Sequence, residues 1–239
     1  MNEMTSINAL IRLLGCAVAV LLFVYSLIHF PVPLINNNLL YNLRFLTYID
    51  VVVQTIYYLI CVLYYLFAIV GNRKLEQSIL PIRDFIYTVL AFPVGILVCI
   101  LFWSIYLYKK ELMVPVEYQL LSTTTLRHIL HTLPGLGHCF EGLTQFHQYP
   151  KNRTSIFCIL LCCCIYLIDL LIIKQITGQF AYPFLNDFTA LYFTLFVAVN
   201  VFVLFIIYLF GKFINDTFFT AGLVKLSRRR SVRLAAKRK

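Results

Sequence analysis

A threonine and a histidine are enough for covalent acyl transfer. The neutral imidazole takes the hydroxyl proton, the alkoxide attacks an ester carbonyl, and the imidazolium protonates the leaving alcohol. The chain offers both residue types within apolar surroundings, at two places. The first holds Arg44, Thr47, Asp50 and Gln54. Thr47, Asp50 and Gln54 stand at i, i+3 and i+7 and share one helix face, while Phe45, Leu46, Ile49, Val52 and Val53 are left for lipid or packing. The second holds Ser122, Thr123, Thr124, Thr125, Arg127, His128, His131, Thr132 and His138. On a continuous helix Thr124, His128, His131, Gly135 and His138 form one polar stripe, opposite Leu126, Ile129, Leu130 and Leu133. Polar groups at membrane depth are costly and so mark function. Plainer readings stand beside this one: Thr47 bonded to its own helix, Asp50 paired with an arginine, a buried histidine that only packs. Three histidines within eleven residues weigh against the last. A Gly-rich phosphate loop, a Gly-x-Ser-x-Gly elbow and a Cys-x-x-Cys pair are absent.

The elements that must position these residues follow from composition. Of 239 residues, 61% are hydrophobic and 13% charged, and the mean hydropathy is +0.85. A soluble domain carries about 25% charged residues, so a disordered chain and an ordinary soluble enzyme are excluded. Apolar run length predicts an all-α membrane helix bundle of six transmembrane helices, roughly over residues 9–30, 45–70, 83–107, 118–146, 155–173 and 188–210. Pro93 and Gly95 predict a kink in the third, and the fourth is unusually polar. The net charge of +10 is concentrated: residues 225–239 hold eight basic side chains and no acid. This divides the chain into a six-span domain, residues 1–224, and a basic tail that fits anionic lipid at a cytoplasmic surface. Nucleic acid is a poorer fit, because no aromatic platform accompanies the charge. An even span number and the positive-inside bias put both termini in the cytoplasm. The eight cysteines lie in or beside apolar segments and read as reduced packing residues rather than a disulfide framework.

The stretch from Arg44 to Asp50 (RFLTYID) resembles a signature of the androgen-induced membrane protein family. So do His128–Thr132 (HILHT), His147–Pro150 (HQYP) and Thr177–Leu185 (TGQFAYPFL), in order along the chain. The resemblance implies a six-span hydrolase of fatty acid esters of hydroxy fatty acids, with Thr47 as nucleophile and His131 as its general base. Asp50, Arg44, Arg127 and His128 would support the site; Arg127 stands where the family pattern has Asn. It implies no metal or other cofactor, a lipid ester as partner, and a multi-pass location in the endoplasmic reticulum or plasma membrane. Two other readings remain: a zinc-dependent hydrolase using His128, His131 or His138 with Asp50, and a lipid-binding scaffold without catalysis. Helix length adds a condition. If the fourth span starts at residue 118, His131 lies about 20 Å along it; if it starts at 126, about 8 Å. Only the later start brings His131 to Thr47 easily.

Overall fold

A computed structural model describes residues 3–30, 42–113 and 123–220. Pro31, Pro33, Ser122 and the basic tail lie outside the described residues. The chain is a helical membrane bundle. Helix α1 (Glu3–Ile28) packs along α2 (Leu46–Val70). Helix α3 (Arg73–Ile86) continues through a π-helical turn, Tyr87–Ala91, into α4 (Phe92–Tyr108). After the single turn α5 (Lys110–Met113) come the short helices α6 (Thr124–His131) and α7 (Leu133–Thr144). The long helices α8 (Asn152–Thr177) and α9 (Ala190–Asn215) complete the bundle, and a 3-10 turn at Pro183–Asp187 lies between them.

Five helical stretches among the described residues are long and apolar enough to cross a membrane, with α3 and α4 forming one stretch, Arg73–Tyr108. That stretch is the central post: 56% of its most apolar window is buried, against 11% for α1 and for α8. The outer helices show lipid-compatible faces, such as Leu14, Val18 and Leu21 on α1 and Phe157, Leu161 and Ile165 on α8. Lipid is as apolar as these side chains, so interior packing and polar contacts must hold the helices together.

Two expectations change. The third span starts at Arg73 rather than residue 83. Residues 73–78 are polar except for Leu75, so run length misses them, yet Asn72 caps the helix by accepting the Leu75 N–H at 3.2 Å. Gly71, at φ 80°, ends α2 in the left-handed conformation glycine tolerates. One Gly-Asn pair therefore closes one helix and opens the next. The fourth span is not one helix. It breaks at Thr132, with Pro134 in the first turn of α7. Where Pro93 and Gly95 predict a kink, the third span carries a π turn, Tyr87–Ala91, that ends two residues before Pro93, which has no N–H to continue the ladder.

Candidate active site

Thr47 is the second residue of α2 and His131 the last of α6. Helix α6 starts at Thr124, whose predecessor Thr123 accepts the Leu126 N–H at 3.2 Å. This is close to the late start that brings the pair together. The two side chains are buried at 5% and 7% exposure, and Thr47 Oγ1 lies 3.3 Å from His131 Nε2. On the far side of the ring, Nδ1 lies 3.0 Å from the Arg127 carbonyl. A carbonyl only accepts, so Nδ1 carries the proton and Nε2 presents a lone pair to the threonine hydroxyl. Phe102 stacks on the imidazole, with centroids 3.4 Å apart and planes 9° apart, and fixes its tilt. Leu126, Ile129 and Leu130 seat α6 against Phe23 of α1 and Val51 of α2.

The polar stripe expected along a continuous helix is divided by the break at Thr132. His128 is exposed, its Nδ1 3.0 Å from Thr132 Oγ1, and it does not join the Thr47 pair. His138 is fully buried and donates from Nε2 to Gln54 Oε1. Gln54 in turn donates to Asp50 Oδ1 at 2.7 Å and to the Ala91 carbonyl, in the π turn, at 3.0 Å. Asp50 is thus held by Gln54 rather than by an arginine, and the orientation of His131 comes from a backbone carbonyl rather than from Asp50. Arg44 is buried with its guanidinium 4.6 Å from the Phe45 ring centroid. Arg127 bonds Thr124 Oγ1 at 3.0 Å and lies 5.5 Å from the Tyr106 centroid. Among the described residues, no three His, Cys, Asp or Glu side chains are grouped as a metal would need. The zinc reading thereby loses its ligand set.

Helix α7 comes close to α4 through two glycines. A Cβ at Gly95 would meet Gln54 Nε2 at 3.0 Å and Pro134 at 3.1 Å; one at Gly135 would meet Cys99 Cβ at 2.8 Å. The close approach is what lets His138 reach Gln54.

An apolar cavity of about 270 Å³ adjoins Thr47. It runs between α2, α4, α8 and α9, lined on α8 from Ile159 to Leu170 and on α9 from Phe193 to Leu204. Each of those stretches rises about 16 Å, so the space is elongated. Tyr182, from the connection between α8 and α9, lines it beside Thr47 and accepts the Leu46 N–H at 3.0 Å. Burial raises the pKa of this phenol above its ordinary value, which keeps it protonated.

A second buried cluster was not singled out from the sequence. Asp84 accepts from Arg83 Nη2 at 2.7 Å, from His147 Nδ1 at 3.0 Å and from the Gln148 N–H at 3.0 Å. Asn215 accepts the His147 N–H at 2.9 Å, and Tyr87 stacks on the imidazole at 3.8 Å. Tyr57 donates to Glu141 nearby. Burial pushes the His147 pKa down, against the pull of Asp84. The cluster ties the loop before α8 to α3 and α9, and gives the HQYP motif a structural purpose. Its signal in the sequence was the adjacent Arg83-Asp84 pair, hidden at an assumed span boundary. Tyr182 had only its place in the TGQFAYPFL motif. All eight cysteines are unpaired.

Residues 7–216 match the profile of the FAR-17a/AIG1-like protein family. The human androgen-induced gene 1 protein is 31% identical over 180 residues, covering 72% of this chain and 76% of that protein. The androgen-dependent TFPI-regulating proteins of rat and human are 27% and 26% identical over 172 residues, covering 72% of this chain and 75% of theirs. No solved structure matches. With a buried Thr47–His131 pair beside an apolar cavity, and a family profile that spans most of its length, the chain belongs to the FAR-17a/AIG1-like family of multi-pass helical membrane proteins.

Proposed function

We propose that this chain is an intramembrane hydrolase of lipid esters, with Thr47 as nucleophile and His131 as general base. The observation that carries the reading is the 3.3 Å approach of Thr47 Oγ1 to an imidazole nitrogen whose lone pair faces it. The substrate class is the one the family resemblance implies, fatty acid esters of hydroxy fatty acids. The elongated apolar cavity supports it, because an acyl chain can lie there with its carbonyl at Thr47. Thr47 Oγ1 adds to the carbonyl carbon while its proton passes to His131 Nε2. Collapse returns that proton to the departing alkoxide and leaves the acyl group on Thr47. Water then repeats the sequence, with His131 as base, and releases the fatty acid.

Asp50 and Gln54 act on this site by fixing α2 against the π turn and α7, not by contact with His131. The protein works as an integral membrane protein of the endoplasmic reticulum or plasma membrane, with both termini cytoplasmic and its basic tail on anionic lipid. Release of hydroxy fatty acid from such an ester by membranes carrying wild type, and none by membranes with equal amounts of Thr47→Ala, is the test. Full activity in Thr47→Ala removes the covalent mechanism. A fluorophosphonate probe that labels neither form, with no hydrolysis by wild type, makes the cavity that of a lipid-binding scaffold.

A further inference from the structure

The connection between α8 and α9 returns Tyr182 to the first turn of α2. Its hydroxyl oxygen accepts the Leu46 N–H at 3.0 Å, the amide just before Thr47. The Thr47 side chain and Tyr166 lie beside the same phenol. Tyr166 donates its own proton to the Arg44 carbonyl, at 3.2 Å. Thr47, Tyr166 and Tyr182 all line the apolar cavity, whose other walls are almost wholly hydrocarbon.

These contacts bear on a specific difficulty. When Thr47 Oγ1 adds to an ester, the C=O π pair moves onto oxygen and creates a full negative charge. In a hydrocarbon cavity that charge has no water to stabilise it, so a donor fixed in advance is required. A phenol has one proton and two lone pairs. The Leu46 amide occupies one lone pair, which orients the ring and polarises the O–H. The proton itself is left for an acceptor beside Thr47. The positive end of the α2 dipole strengthens that donor.

We propose that Tyr182 is the oxyanion donor of this site, its hydroxyl hydrogen-bonding the substrate oxygen that becomes negative when Thr47 attacks. The inference rests on the hydrolase reading above. In the first step the Thr47 proton goes to His131 Nε2, the new bond forms between Oγ1 and carbon, and the carbonyl pair goes to the oxygen held by Tyr182. Collapse re-forms the C=O and expels the alkoxide, which takes the proton from His131. The Tyr182 proton stays on its own oxygen throughout.

The alternative is that Tyr182 only anchors the start of α2. Tyr182→Phe separates the two, because it keeps the ring and removes the hydroxyl. With purified protein in lipid nanodiscs and a fatty acid ester of a hydroxy fatty acid, kcat should fall about 100- to 1000-fold. KM should change by no more than about threefold. A long-chain trifluoromethyl ketone, which forms an oxyanion on Thr47, should lose affinity in proportion to kcat/KM. The free fatty acid, a product, should inhibit as before. Retention of kcat within about tenfold, or equal losses for the ketone and the fatty acid, overturns the proposal. Thr47→Ala is measured beside it: activity there removes the threonine mechanism as a whole, whereas inactive Thr47→Ala with active Tyr182→Phe removes only the role of Tyr182. If Tyr182→Phe does not accumulate, 3-fluorotyrosine at position 182 supplies a more acidic donor in the same fold. Its kcat should then differ from wild type, and an unchanged kcat overturns the proposal.

Discussion

Gly135→Ala tests whether the approach of α7 to α4 sets the site. The added Cβ would lie 2.8 Å from Cys99 Cβ and 3.0 Å from its Sγ, where ordinary contact begins at 3.4 Å. The nearer atom is fixed to the α4 backbone, so no rotamer change relieves it. The helices must part by roughly 0.6 Å at this point if contact is to be normal. Overpacking of this kind costs about 1–3 kcal/mol. The better helix propensity of alanine returns about 1 kcal/mol, so the net loss is about 0–2 kcal/mol. Near 240 residues that corresponds to an apparent Tm lower by a few degrees. The displacement also loosens the His138–Gln54 contact next to Gly95, so hydrolysis should fall more than stability does. Scanning fluorimetry in detergent and ester hydrolysis in membranes measure the two effects. Cys99→Gly added to Gly135→Ala should recover part of both, because it removes the atoms in conflict. A Gly135→Ala protein with undiminished hydrolysis, or effects of the two substitutions that simply add, would refute the packing argument.

The remaining expectations concern the reaction, the clamp and the topology. Thr47→Ala and His131→Ala should each abolish hydrolysis at normal protein levels, and the double variant should be no worse than either, as rate assays on the three will show. Asp50→Asn keeps an oxygen that can accept from Gln54, so its kcat should fall less than tenfold; a complete loss would mean that Asp50 acts on substrate. Because burial holds the folded pKa of His147 below the unfolded value of about 6.5, its neutral form stabilises the fold above that pH and the contribution is lost as pH falls below it. The Tm of His147→Gln should therefore depend less on pH between 7 and about 5 than that of wild type. Asn152 and Asn215 both stand in glycosylation sequons, but Asn215 is buried and bonded to the His147 amide. With six spans and cytoplasmic termini neither is glycosylated; a glycosidase-sensitive mass shift lost in Asn152→Gln would overturn the orientation or the span count.

The helical membrane bundle and the Thr47–His131 pair were legible because both rest on local patterns, long apolar runs and short motifs. The course of 118–146 was not. A period of 3.6 groups His128, His131 and His138 only while the helix is continuous; the break at Thr132 and Pro134 sends His138 to a different environment, and on the helix before it His128 is exposed while His131 is buried. Arg83 and Asp84 were overlooked for the opposite reason. A charged pair beside an apolar run reads as a boundary, whereas its partners His147 and Gln148 lie 63 and 64 residues away. The role of Gln54 as a bridge between α2, the π turn and α7 likewise depends on a carbonyl that no residue pattern identifies.

The position of Thr47 within α2 has a further consequence. It is the second of 25 residues, and Gly71 turns the chain at the opposite end. A helix of that length exceeds the hydrocarbon thickness by several ångströms. If Thr47 is the nucleophile proposed above, helix length puts its oxygen near the headgroup boundary of a single leaflet, the depth at which lipid ester carbonyls themselves reside. On that reading, esters in the other leaflet would be out of reach until they cross the bilayer. Turnover in a cell membrane would then follow the transverse distribution of the lipid, and a scramblase would act as an activator without touching the protein.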